Sequence, residues 1–279
     1  MRSVVAGGLA VLGVVGLAAA SGAGAASSHG GPVVRVAPKI RESPPAGTQA
    51  GVGWASSNWS GYAVQHSSSY SGVTGNWTVP TVTGCSGHGR GAACYSAAWA
   101  GIDGFDNSSL IQTGTEQDYG KSGASYSAWW TTSSLGFVEQ TISSGCTPAS
   151  STCGTVAASD QITATISISG GKGSITLTDK TQGWTFSKQA SYSGSADSAE
   201  WIMETPTVGG RIATMPTYNT FAFDPDSVNG NANPSLVASD GGELVSGRNV
   251  VSIPSNPDSD TDGFDIAYGS SAPNPPSPS

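Results

Sequence analysis

The chain has 279 residues, with 11 Lys and Arg against 19 Asp and Glu, a net charge of -8 at pH 7 and four cysteines. Charged residues make up only 11% of it, under half the share of about 25% usual in soluble proteins. The acidic balance argues against a nucleic-acid partner, and a surface with few carboxylates changes little on acidification.

Residues 1–25 read as a secretory signal peptide: one Arg, then the apolar run "VVAGGLAVLGVVGLAAA", then small residues that permit cleavage after Ala25. A secreted, extracellular protein with no membrane association after cleavage is the expectation. Residues 26–53 carry Arg35, Lys39 and Arg41 among prolines and show no strand or helix period, so they read as a propeptide or linker. A basic segment of this kind is suited to cover an acidic site, or simply to trail as a tail. Residues 54–269 form the one remaining domain, and "SSAPNPPSPS" (270–279 with Ser270 at its start) reads as a disordered tail by composition.

Within the domain the patterning is β. "GNWTVPTV", "SYSAWW", "GWTFSKQ", "AEWIME", "TFAFD", "NVVSI" and "GFDIAYG" are short strand-like runs between Gly, Pro, Asn and Asp. "QITATISIS" alternates strictly, and "GGKG" turns the chain into "SITLTD", which is a hairpin. No window carries a sustained helical period. Many short strands with frequent turns predict an all-β sandwich or barrel. Cys85 with Cys94, and Cys146 with Cys153, would each close a short loop rich in small residues, as export allows. A zinc site is disfavoured, since neither gap is the tight Cys-x-x-Cys spacing.

Common catalytic signatures are missing. There is no H-E-x-x-H, no G-x-S-x-G and no phosphate-binding glycine loop. Asp258, Asp260, Asp262 and Gly263 match the start of a calcium loop, but Gly269 stands where its bidentate Glu belongs. The run therefore reads as an acidic turn, and neither metal nor cofactor is expected.

Two segments stand apart. Only five glutamates lie beyond residue 50, and two of them, Glu200 and Glu204, share "AEWIME". In a strand, Glu200, Ile202 and Glu204 face one way and Trp201 and Met203 the other, which puts Trp201 and Met203 in the core and both glutamates on an open face. "AAWAGIDGFDNSSLIQTGTEQDY" (97–119) alternates Trp99, Gly101 and Asp103 onto one side, then sets Gln112 in "LIQTG". An amide in so apolar a strand is satisfied in the core or presented in a groove.

"SSNWSGYAV", "WAGIDG", "LIQTG", "YSAWW" and "AEWIME", in this order, resemble the eqolisins, the secreted glutamic peptidases, in a bacterial-type member. The resemblance spans about residues 55–269. It implies a lectin-like, jelly-roll sandwich of two antiparallel sheets with an active site on the concave face of one. It also implies a Gln/Glu dyad, with the family Gln at Gln112 and the family Glu at Glu204, the second of its motif. Trp59, Trp99, Asp103, Glu116, Trp129 and Glu200 are the expected substrate-binding neighbours, with Asp103 as a candidate to orient Gln112. The implied substrate is a polypeptide, and a monomer is the default. One departure stands out: Thr131 follows "AWW" where the family usually has an acidic residue. It leaves a non-catalytic binding module open as an alternative. A carbohydrate-active enzyme on the same sandwich is disfavoured. Glycosidase carboxyl pairs sit about 5–9.5 Å apart, whereas residues four apart in a strand are separated by about 13 Å.

Overall fold

The alternating runs become strands in a computed structural model that describes Met1 and residues 33–45, 52–85 and 93–279. The chain divides into two units, 1–31 and 32–279. The first, with the signal-peptide expectation, lies outside the described residues apart from Met1. The principal strands of the second are β1 (Trp59–Val64), β2 (Gly72–Thr78), β3 (Ala97–Ile102), β4 (Ile111–Gly120), β5 (Gly123–Thr132), β6 (Gln161–Ser169), β7 (Lys172–Asp179), β8 (Trp184–Ser191), β9 (Ala199–Glu204), β10 (Phe221–Phe223), β11 (Gly241–Ser246), β12 (Asn249–Pro254) and β13 (Phe264–Tyr268). Among the described residues the only helical pieces are two short 3-10 turns, Ser133–Leu135 and Ala238–Asp240.

One sheet runs β5-β4-β3-β9-β1-β11, with every pair antiparallel. The other runs β8-β7-β6-β2-β10-β13-β12, also antiparallel. β11 and β12 pair with each other and so join the two layers. Gly170 and Gly171, both with positive φ, make the predicted turn between β6 and β7, a conformation that glycine adopts without strain.

The core lies between the layers. Ala98, Ala100 and Ile102 of β3, Ile111 of β4, and Trp201 and Met203 of β9 meet Val73 and Trp77 of β2, Ile162, Ala164 and Ile166 of β6, and Ile175 and Leu177 of β7. Each of these sets follows period two, so the same pleat that fills the core sends the alternate residues of β3, β4 and β9 to the other side of their sheet. Trp201 also donates its indole N–H to the Thr74 carbonyl at 2.9 Å, which fixes β9 against β2. Both expected disulfides are present, Cys85–Cys94 and Cys146–Cys153, with Cα separations of 5.7 and 5.5 Å.

The outer face of the first sheet is not bare. Trp59, Trp99, Trp129, Leu110 and Ile202 form a second apolar cluster there with Val36 and Trp54. Val36 comes from the segment read as propeptide or linker, so residues 33–45 cross this face as a strap. Residues 270–279 contain no helix or strand.

Candidate active site

The antiparallel register decides which side chains meet on the covered face. Gln112 lies opposite Gly101, Gly101 opposite Glu200, and Glu200 opposite Ala63. Gln112 and Glu200 therefore share one rung, two strands apart, about 10 Å between backbones at the usual strand spacing. Residues directly opposite in a sheet point to the same face, so both side chains rise over the residue between them. That residue is glycine. A Cβ at position 101 would come within 2.7 Å of Gln112 Cγ and 2.8 Å of Trp99 Cζ3, so Gly101 gives the amide its room. On the other flank Gln112 faces Thr131, whose hydroxyl donates to the Val138 carbonyl at 2.8 Å.

The next rung on this face holds Trp129, Gly114, Trp99 and Ile202. The one after it holds Glu116, Ala97, Glu204 and Trp59. Glu204 is thus four residues along the strand from Glu200, which sets it about 16 Å from Gln112, backbone to backbone. Gln112 was expected to work with Glu204; the residue brought alongside it is Glu200. Trp59 and Trp99 pack edge to face with ring centroids 4.9 Å apart and wall the space between the two carboxylates.

Hydrogen bonding separates the two glutamates further. Glu204 is fully satisfied: Trp99 Nε1 donates to one oxygen at 3.0 Å, and the Ala37 backbone N–H and Asn58 Nδ2 donate to the other at 3.0 and 3.5 Å. Neither oxygen of Glu200 and neither polar atom of the Gln112 amide has a hydrogen-bond partner, although both residues are 0% exposed. Buried polar groups are normally paired, and leaving one unpaired costs about 1–3 kcal/mol. Both residues lie on one rung of the covered face.

Burial pushes the Glu200 carboxyl well above the ordinary glutamate range. Asp103 and Asp197 push the same way, opposed by Ser198 and Lys39. Burial likewise raises Glu204, against the hydrogen bonds it accepts from Ala37, Trp99 and Asn58. Glu116 is raised by burial and by its neighbours Glu139 and Asp118. The Glu116 end of this face is therefore a carboxyl cluster, with Glu139 also close enough to raise Glu204.

Asp103 does not orient Gln112. It has a left-handed φ of 68°, which breaks the alternation and turns its carboxylate toward the chain entering β9. There it accepts from the backbone N–H of Ala196 and Asp197, from Asn107 Nδ2 and from the Tyr192 hydroxyl. Its role is to hold the lead-in to Glu200.

The strap lies over all of this. Val34–Arg35 pairs with Thr207–Val208, and Arg41–Glu42 pairs with Ala55–Ser56. Between these anchors the Ala37 N–H binds Glu204, and the Ala37 and Pro38 carbonyls accept from Asn58 Nδ2. The Lys39 side chain is only 2% exposed, 3.5 Å from Asp106, and it lies over the rings of Phe105 and Trp54. Arg41 pairs with the same Asp106. Burial lowers the Lys39 pKa to about 8, although Asp106 pulls it up. The sequence signal for this contact was the cluster of basic residues set against an acidic domain.

The chain belongs to the Peptidase A4 family, which matches residues 57–259, and the resemblance to the eqolisins is thereby borne out. Aspergillopepsin-2 of Aspergillus niger is 30% identical over 191 residues, 60% of this chain and 62% of that protein. The chain thus spans under two thirds of the length of this curated relative. Among solved structures, the aspergilloglutamic peptidase from Aspergillus niger aligns with a TM-score of 0.49 and 22% identity, over 63% of this chain and 99% of that one. The alginate lyase from Klebsiella pneumoniae aligns with a TM-score of 0.23 and 12% identity, over 52% of this chain and 54% of that one.

Proposed function

We propose that this protein is a secreted, acid-acting endopeptidase that cleaves polypeptides with Gln112 and Glu200, and that it is made as a precursor in which residues 33–45 occupy the substrate face. The observation that carries the reading is the pair of buried, unpartnered side chains, Gln112 and Glu200, on one rung across Gly101. Family membership supports peptide hydrolysis, and the signal-like N-terminus and two disulfides support export.

Peptide hydrolysis needs a base for water, a donor for the oxyanion and a proton for the leaving amine. Glu200 as carboxylate takes a proton from a water that attacks the scissile carbonyl. The Gln112 amide donates an N–H to the oxygen as it becomes negative. Glu200, now protonated, gives its proton to the amine nitrogen as the C–N bond breaks, which returns it to carboxylate. An amide does not titrate, so Gln112 keeps its role in acid, and removal of the strap readmits water to this face and relieves the burial that raises Glu200. Trp59, Trp99, Trp129 and Glu116 line the groove beside the dyad. Glu204, already held by Trp99 and Asn58, positions Trp99 and receives substrate backbone N–H where the strap now places Ala37. The strap blocks the site because its backbone uses the donors and acceptors a substrate would use.

The test is digestion of denatured haemoglobin or casein at pH 3–5, with and without pepstatin. Cleavage insensitive to pepstatin, and lowered by about 10²–10³ in kcat in Gln112→Ala, is expected. No cleavage by protein whose strap has been removed, or undiminished cleavage by Gln112→Ala, would overturn the assignment.

A further inference from the structure

Away from the face that carries Gln112 and Glu200, two loops bring acidic side chains together. β10 and β13 pair through Phe223 and Phe264. The loop after β10 carries Asp224 and Asp226, and the loop before β13 carries Asp258, Asp260 and Asp262. One carboxylate oxygen from each of Asp224, Asp258 and Asp262 lies within 4.8 Å of the others. The two loops are tied by a hydrogen bond from the Asp226 N–H to the Asp262 carbonyl at 2.7 Å.

What makes this more than an acidic patch is how its oxygens are left. Asp224 Oδ1, Asp226 Oδ2, Asp258 Oδ2, Asp260 Oδ1 and Asp262 Oδ1 are all buried with no hydrogen-bond partner. Asp226 is 2% exposed and Asp258 6% exposed, each with its second oxygen already committed to backbone N–H groups: Asn76 for Asp226, and Asp262 and Gly263 for Asp258. Asp226 is close enough to Asp224, Asp262 and Asp258 for each of them to raise its pKa further, beyond the larger effect of burial. Among the described residues the ion pairs of Lys39, Arg41 and His66 go to Asp106 and Asp240, not to these five. Glycine at 263 keeps the space open, since a Cβ there would sit 2.6 Å from Asp224 Oδ1.

We propose that these two loops form a divalent-cation site, calcium by its chemistry, with Asp224, Asp258 and Asp262 as ligands and Asp226 and Asp260 completing the anionic shell. Calcium takes several oxygen ligands at about 2.3–2.6 Å in adaptable geometry, whereas magnesium demands a tighter octahedron at about 2.0–2.1 Å. A ligand set drawn from two irregular loops, with no preset octahedron, suits the ion of more adaptable geometry. The sequence alone favoured an acidic turn, because Gly269 fills the position of the usual bidentate Glu. The structure supplies the missing carboxylates from the Asp224 loop instead. The ion would clamp β10 to β13 by bridging carboxylates from the two loops.

The experiment is thermal unfolding of the full chain at pH 7 after EDTA treatment, with and without calcium chloride, alongside calorimetric titration. Calcium at about ten times its dissociation constant is expected to raise Tm by about 3–6 °C, more than magnesium does, and the Asp258→Asn, Asp262→Asn double variant is expected to lose the rise. Terbium luminescence on the unmodified chain, quenched by added calcium, reports the site without any variant. Absence of a calcium-dependent Tm shift and of terbium binding would overturn the proposal and assign the five oxygens to shared protons. A shift that survives in the double variant would overturn it as well.

Discussion

Gln112 owes its freedom to the residue it faces. Gly101 is the one position between Gln112 and Glu200, and any side chain there presses on Gln112 Cγ and Trp99 Cζ3 at under 3 Å. Gly101→Ala is therefore expected to lower kcat by on the order of 10²-fold, the effect of misplacing a reacting group by about an ångström, while the far-UV spectrum is kept. Unchanged kcat in this variant would mean that the amide does not act from this rung. The sequence could show that Gln112 was out of place in an apolar strand. It could not choose between Glu200 and Glu204, because period-two alternation sends both to one face. The choice depends on cross-strand register, in which Glu200 meets Gly101 while Glu204 meets Ala97, and register is set by distant partners. Asp103 escaped sequence reading for a local reason, since a positive φ breaks the alternation that was used to aim it.

Among the elements, the strap covers the face that carries Gln112 and Glu200, and on the proposed reading it controls access to them. Lys39 and Arg41 both rest on Asp106, so these two ion pairs help to hold the strap. Lys39→Ala with Arg41→Ala removes both. The expected outcome is that the precursor becomes active at a pH higher by on the order of half a unit, since a pKa unit corresponds to only about 1.4 kcal/mol. The pH at which half the activity appears, measured on freshly purified precursor, checks this, and an unchanged midpoint would remove electrostatics from the holding of the strap. The basic composition of this segment was legible, and so was its suitability to cover an acidic site. Its path was not, because it is built from backbone contacts to Asn58, Gly104 and Glu204 that no local pattern encodes.

For the whole molecule, scarcity of charge is matched by where the remaining carboxyls sit. Burial raises Asp118, Asp179 and Asp224 to about 6 and Glu139 to about 8, and it raises Glu116, Glu200, Glu204 and Asp226 as well. A carboxyl whose pKa is higher folded than unfolded binds its proton more tightly when folded. Its contribution to stability is full below the ordinary value of about 4 and is lost as pH rises through the folded value. Without added calcium, Tm is expected to be highest near pH 3–4 and to fall as pH rises through about 6 and on toward 8. A Tm that is flat or rises over this range would contradict the burial of these groups in uncharged form. The sandwich itself was legible throughout, because "QITATISIS" and "SITLTD" each carry one buried face, whereas the order of strands within each layer was not, because it depends on pairings between distant segments.

We propose Glu200, not Glu204, as the base that works with Gln112. Haemoglobin cleavage at pH 4 by strap-free protein, measured side by side for Glu200→Gln and Glu204→Gln, tests it most directly. Loss of about 10²–10⁴ in kcat for Glu200→Gln, with Glu204→Gln affected mainly in KM, is the predicted result. Near-normal kcat in Glu200→Gln together with an inactive Glu204→Gln would contradict it.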